Sequence, residues 1–455
     1  MNNESYEKLD RKNFIHPLTH LGKFERGEIP NRIMESASGV RIKDSTGKEY
    51  IDAFAGLYCV NVGYGRKEII DAIKKQASQL AYYHSYYGNA TEASIKLSDM
   101  IIDRSPNNMK KIYFGLTGSD ANETNIKLLW HYNNLIGKSK KKKIISRIGG
   151  YHGAGILTGS LTGIKNYHKN FDLPISGIIH TEAAHYFHRN NLDQTENDFS
   201  QMCGEKLEEM IINENPDTIA GFIAEPVMGN GGLVPPPKNY WSIISKILKK
   251  YDIAFIADEV ITAFGRLGKM FGVEYYDIEA DMITIAKGVT SAYSPLSGSI
   301  ISDKISQVII DGTDQYGALN HGSTYSAHPI SCAAAVANLN LIDNKNLIDS
   351  GHLIANYFNN KLIEKLSDHH LIGDIRSAGL LSALEFVKDK KDRKFFDKQG
   401  QFAQELASIM AKNGILARAM PSGDTLGFTP ALCLTEKDAD IIIEKTILSI
   451  KEITN

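Results

Sequence analysis

Seven short apolar runs set the main constraint on how this chain folds. They read "KIYFG" from 111, "KIISR" from 143, "GIIH" from 177, "IAGFIAEP" from 219, "IAFIADE" from 253, "MITIAK" from 282 and "SGSIIS" from 297, with helix-spaced segments between them. Strands that are apolar on both faces and separated by helices predict a mostly parallel sheet covered on both sides, an α/β fold. A chain of 455 residues that is 42% hydrophobic holds enough apolar surface for that core and for a second, smaller domain. Ahead of the first run, "VRIKD" and "KEYIDAF" flank Ser45, Thr46 and Gly47 and predict a small hairpin. From Arg66 onward Ile69, Ile70, Ile73, Ala77 and Leu80 share one helix face. After about Asp343 the pattern becomes helix, "LLSALEFV", helix, "GILARA", helix. The expected division is a segment 1–65 carrying the hairpin and packing with the small domain, a large domain 66–343, and a C-terminal small domain 344–455.

Charge and cysteine usage exclude several classes of function. Net charge is -2, from 51 basic and 53 acidic residues, so no global field favours nucleic acid or an anionic membrane. The amino terminus "MNNESYEKLDRKNF" lacks the apolar core of a secretory signal, and no apolar run approaches membrane-spanning length. The expectation is a cytoplasmic protein with small-molecule partners. Cys59, Cys203, Cys332 and Cys433 lie far apart, without disulfide or zinc spacing, and read as reduced thiols; no metal is expected. "GKS" at 137 lacks the first glycine of a phosphate loop, since Tyr132 stands there, and reads as a helix-ending turn. "KSKKKK" at 138 reads as a solvated loop, and "GNGG" at 229 as a rigid turn. His152 and His321 have no metal-ligand spacing and are expected to orient loops.

In an open parallel sheet, ligands collect at the carboxyl ends of the strands. Three such ends are chemically unusual. "KIYFGLTGSDANETNIKLLW" passes from a strand through Gly115 and Gly118 into a helix, and Gly118 with Ser119 makes an anion site suited to a phosphate; taken alone, it reads as an N-capped helix with Ser119 or Asp120 as the cap. Asp258 closes "IAFIAD", where a buried carboxylate needs a cation or a cap. Lys287 ends "MITIAK", where an ammonium either snorkels from the sheet or has a lowered pKa suited to forming a Schiff base. Phosphate cradle, counter-ion for a protonated ring nitrogen and aldehyde-binding lysine are together the requirements of pyridoxal 5'-phosphate.

The chain also resembles the class III, omega-type, pyridoxal-phosphate-dependent aminotransferases, close to the omega-amino acid/amine:pyruvate transaminases. The resemblance covers nearly the whole length. It is carried by "GLYCVNVGYGR", "GSDANETNIKL", "YHGAGILTGSLTG", "FIAEPVMGNGG", "DEVITAFGRLGKMFG", "DMITIAKGVTSAYSPLSG" and "HGSTYSAHPISCAAAVANL". It implies the fold type I aminotransferase architecture: a large domain with a mostly parallel seven-stranded sheet plus a smaller α+β domain. It implies that Lys287 binds the cofactor aldehyde and then shuttles a proton, and that Asp258 holds the pyridine nitrogen protonated. Gly118 and Ser119 would cup the phosphate, and Tyr151 and Val260 would press on the two faces of the ring. Thr324 would add a hydroxyl to the phosphate from the partner subunit, which implies a homodimer with shared sites, a tetramer being the alternative.

For the substrate, the resemblance assigns Arg418 as a mobile arginine that holds a carboxylate, and Glu225 as a residue that neutralises the resting arginine in some members. Tyr58, Tyr86 and Tyr151 would line the donor pocket; "YYHSYYG" at 82 suits interface packing equally well. The implied reaction is ping-pong: an omega-amino acid or primary amine (beta-alanine, 4-aminobutyrate, taurine, putrescine or an aralkyl amine) gives its nitrogen to the cofactor, and a keto acid, pyruvate first, collects it. The rivals are an aminomutase or decarboxylase on the same cofactor site, and a regulator that keeps the fold without catalysis; the latter lacks a DNA-binding segment here.

Overall fold

The computed structural model describes residues 3–454. Its strands are β1 (Met34–Ser38), β2 (Arg41–Asp44), β3 (Glu49–Asp52), β4 (Met109–Gly115), β5 (Lys143–Arg147), β6 (Ile178–Thr181), β7 (Ile219–Ala224), β8 (Ala254–Asp258), β9 (Met282–Ile285), β10 (Ser297–Ser302), β11 (Ile372–Ala378), β12 (Leu381–Phe386), β13 (Ile415–Leu416), β14 (Arg418–Ala419) and β15 (Thr425–Phe428). All seven apolar runs form strands, and they build one seven-stranded sheet in the order β4-β10-β9-β8-β7-β5-β6. Only β10 runs against its neighbours; the five strands from β9 to β6 are parallel.

Alternate residues of these strands face opposite layers, which explains why the runs carry no polar face. Ile144, Ile223, Ile256 and Met282 pack with Ile126 and Leu129 of the helix Gly118–Leu135. Ile145, Phe222, Phe255 and Ile283 pack on the other side with Leu207 and Ile211 of the helix Glu196–Asn213.

The hairpin is present as β2 and β3, and β1 extends it to a sheet β1-β2-β3-β13. Ile415 and Leu416 therefore pair in parallel with Ile51 and Asp52, joining the two ends of the chain. A third sheet, β11-β12-β15-β14, surrounds "LLSALEFV". Sequence periodicity missed β1, β11 and β15: β1 is largely exposed, β11 alternates irregularly, and β15 is only four residues long. The "GKS" turn ends its helix as expected, with Gly137 at φ 76. The lysine run departs from a solvated loop, because Lys141 is buried and its ammonium reaches the Asp252 carbonyl. Among the described residues no helix is long and apolar enough to cross a membrane, and all four cysteines are free.

Candidate active site

The carboxyl ends of β9, β8, β7 and β5, adjacent in the sheet, point Lys287, Asp258, Glu225 and the "YHG" loop into one cavity of about 430 Å³. β4 runs parallel to β9 across the antiparallel β10, so the turn into the helix Gly118–Leu135 opens on the same edge. In that turn Thr117, rather than Ser119 or Asp120, is the cap: its hydroxyl accepts from the Asp120 N–H at 3.2 Å, and the Asp120 carboxylate accepts from the N–H groups of Leu116 and Thr117 at 2.8 Å each. The reciprocal cap leaves the N–H groups of Gly118 and Ser119 without an acceptor among the described residues. They remain available to an anion. A Cβ on Gly118 would stand 2.8 Å from Val260 Cγ2, so only glycine lets the turn come this close.

Asp258 is 3% exposed and, among the described residues, faces no arginine or lysine at bonding distance. Its Oδ2 accepts from His152 Nδ1 and from Asn122 Nδ2, both at 2.8 Å, and its Oδ1 accepts from the Val260 N–H at 3.1 Å. Asn122 is fixed in turn by the Thr284 hydroxyl at 2.6 Å, which itself accepts from Asn125 Nδ2 at 2.7 Å. The carboxylate is thus oriented by neighbours on three segments.

Lys287 follows Ala286 at the end of β9 with φ 44, in the left-handed region. A non-glycine residue there is strained by roughly 1–3 kcal/mol, and such strain clusters at functional sites. Its ammonium makes no hydrogen bond or ion pair among the described residues and lies 5.8 Å from the centre of the Tyr58 ring. The side chain keeps some surface open to the cavity, yet it is deep enough that burial lowers its pKa, a shift that the nearby Cys59, Asp258 and Glu225 oppose. A neutral amine is the nucleophilic form.

Residues 24–450 match the family Aminotransferase class-III. The chain belongs to the class III aminotransferases. It is 46% identical over 448 residues to the diaminobutyrate--2-oxoglutarate transaminase of Halomonas elongata, covering 98% of this chain and 96% of that one. It is 40% identical over 417 residues to gamma aminobutyrate transaminase 1, mitochondrial, of Solanum lycopersicum, covering 91% and 80%. A transaminase solved during directed evolution by ancestral reconstruction superposes with TM-score 0.98 at 48% identity, over 100% of this chain and 99% of that one. The omega transaminase of Pseudomonas jessenii in complex with PMP gives 0.95 at 35%, over 98% and 97%.

Class III aminotransferases transfer amino groups from amine donors to keto acids with pyridoxal phosphate, and the cavity suits that cofactor. The open N–H groups at Gly118 and Ser119 fit its phosphate, the oriented Asp258 carboxylate fits a protonated ring nitrogen, and the unpaired Lys287 amine fits its aldehyde.

Beyond that end, the aminotransferase cavity is lined by Tyr58, Tyr151, Glu225 and Arg418. Tyr86 and Thr324 lie outside it in their own chain: Tyr86 packs against Gly322, and Thr324 is exposed, its carbonyl accepting from the Tyr82 hydroxyl at 2.7 Å. The open question of a Glu225–Arg418 pair is answered by the hydrogen bonds. Arg418 Nη1 donates to Asn230 Oδ1 at 3.0 Å and to the Tyr58 hydroxyl at 3.3 Å. Glu225 instead accepts from the N–H groups of Gly229 at 3.1 Å and Tyr151 at 3.4 Å. Burial raises its pKa to about 7, against the opposing field of His152.

Sequence reasoning missed Asn122, Asn230 and Tyr167. Tyr167 meets Tyr151 edge-on with ring centres 5.4 Å apart. Asn230 sits in the "GNGG" stretch that reads as a mere turn, and no local pattern marks it. Both histidines were expected to orient loops: His152 Nδ1 holds Asp258, and His321 ties its loop to Thr124 and Lys127 of the helix Gly118–Leu135 at 3.0 Å each.

Proposed function

We propose that this aminotransferase takes the amino group of an omega-amino acid or primary amine and delivers it to a keto acid, pyruvate first among them, in two half-reactions sharing one cavity. The observation that carries the reading is Arg418, a guanidinium anchored to neutral partners beside an aromatic lining, which leaves its charge for a carboxylate. A relative named for diaminobutyrate and 2-oxoglutarate, and others named for gamma aminobutyrate, act by those names on amines carrying a distant carboxylate. The first name also makes 2-oxoglutarate the second acceptor to test.

Bound pyridoxal phosphate supplies an exchangeable aldehyde and a ring that takes up the electron pair released at the substrate carbon. Lys287 would hold that aldehyde and, once displaced by the donor, carry the proton at its Nζ to and from the reacting carbon. Asp258 would keep the ring nitrogen protonated, with His152 and Asn122 fixing the carboxylate. Gly118 and Ser119 would bind the phosphate through backbone N–H groups, and Tyr151 and Val260 would confine the ring. Tyr58, Tyr151 and Glu225 would shape the donor pocket.

We also infer a homodimer in which Thr324 and Tyr86 serve the partner's cavity. Supporting this, the segment beside Thr324 exposes Tyr82, Tyr83, Tyr325 and Tyr87, the last 95% exposed, an aromatic surface suited to an interface. The function is tested by a donor panel run with pyruvate and with 2-oxoglutarate. Amine consumption should match keto acid consumption one to one; turnover of a donor without keto acid would overturn it.

A further inference from the structure

The turn that carries Asn230 brings together three parts of the chain that are remote in sequence. Asn230 Oδ1 accepts two hydrogen bonds, from the Tyr58 hydroxyl at 3.0 Å and from Arg418 Nη1 at 3.0 Å. Asn230 is 6% exposed and Tyr58 2%, so both acceptors are held in place by burial. The Arg418 guanidinium carbon lies 5.6 Å and 5.7 Å from the ring centres of Phe54 and Tyr58, which frame it further. The remaining nitrogens, Nε and Nη2, have no partner among the described residues. Those two N–H groups are the side-on fork that takes a carboxylate by two parallel hydrogen bonds. A carboxylate in the place of Asn230 would compensate the arginine; an amide anchors it and leaves the charge intact. Of the two acids lining the same cavity, Asp258 bonds His152, Asn122 and the Val260 N–H, and Glu225 bonds backbone N–H groups.

We propose that Asn230 is a positioning residue that sets the preference for carboxylate-bearing substrates, by anchoring Arg418 through one nitrogen so that its Nε–Nη2 edge stays open and its charge uncompensated. The inference rests on reading Arg418 as the carboxylate site. Tyr58 shares the anchor, but its hydroxyl also donates to Asn230, so the amide oxygen is the common acceptor on which both groups converge.

The test is the holoenzyme with Asn230→Asp, Asn230→Ala and Arg418→Ala, each half-reaction measured separately. Asn230→Asp is nearly isosteric, which keeps the turn intact, and the yellow colour of the bound cofactor reports that each variant still assembles. KM for pyruvate should rise about tenfold in Asn230→Ala and about a hundredfold in Asn230→Asp, with kcat within about twofold. The half-reaction of an aryl amine without a carboxylate should keep its KM in both. An unchanged pyruvate KM in Asn230→Asp, or equal losses in the two half-reactions, overturns the assignment. If Arg418→Ala itself leaves pyruvate KM unchanged, the carboxylate reading of Arg418 fails and the inference falls with it. If Arg418→Ala raises KM and both Asn230 variants do not, only the role of Asn230 is lost.

Discussion

The cavity has one end made by a single sheet and another assembled from unrelated segments. At the first end Lys287, Asp258 and the Gly118–Ser119 turn follow directly from the carboxyl ends of β9, β8 and β4, so the register of one seven-stranded sheet fixes their separations. At the second end Tyr58 follows β3, Asn230 follows β7, and Arg418 begins β14 of a different sheet. The first end is therefore as rigid as the core beneath it, while the second depends on how three packed units meet. On the proposed reading, cofactor binding would belong to the rigid end and the choice of substrate to the assembled one, where substitutions would change specificity without touching the core.

The largest effect should come from the rigid end. Lys287→Ala is expected to lower turnover about 10^4-fold or more and to abolish the borohydride-reducible linkage between cofactor and chain, as read by mass after reduction. Retention of that linkage would remove Lys287 from its role. Asp258→Asn should cost about 10^2- to 10^3-fold in kcat: the charge is lost, and the amide oxygen keeps the bonds from His152 and Asn122 while the amide nitrogen can no longer accept from the Val260 N–H. At the assembled end, Arg418→Ala should raise KM for pyruvate about 10- to 100-fold and spare an aryl amine donor. Equal damage to both halves would make the arginine structural and erase the contrast between the ends. Gly118→Ala drives a methyl to 2.8 Å from Val260 Cγ2, so cofactor affinity, measured by spectroscopic titration, should fall about tenfold.

The smallest effect concerns Glu225, whose carboxyl burial lifts from the ordinary carboxylate range to about 7. Between those values the folded protein holds a proton that the unfolded chain has released, so stability falls as pH rises through the window. Glu259 is raised to about 7 as well, and it contributes a slope of the same sign. Glu225→Gln should flatten the decline in melting temperature between about pH 5 and about pH 8 by a few degrees. An unaltered slope would mean that Glu225 is ionised throughout, with a cation beside it.

All seven strands stand where the apolar runs lie; the runs were clearest for β7, β8 and β9, buried on both faces, whereas the edge strands β4 and β6 keep exposed or half-buried positions. β1, β11 and β15 were not legible, since short or half-exposed strands have no run long enough to separate them from loops. Lys287 and Asp258 stood out because a charge ending an apolar strand is costly without a partner. Asn230 could not stand out, because an asparagine among glycines is ordinary turn chemistry. Its value comes from Arg418, 188 positions away in sequence and 3.0 Å away in space.

By itself, then, the sequence determined the layered sheet and the chemistry at its strand ends, because backbone periodicity and the cost of buried charge are local properties. Which group holds Arg418, which N–H groups stay open at Gly118 and Ser119, and which acid stays unpaired were decided only by the tertiary structure. Each of those outcomes is a competition among donors and acceptors that long-range packing brings within 3 to 4 Å, and no local pattern records who wins.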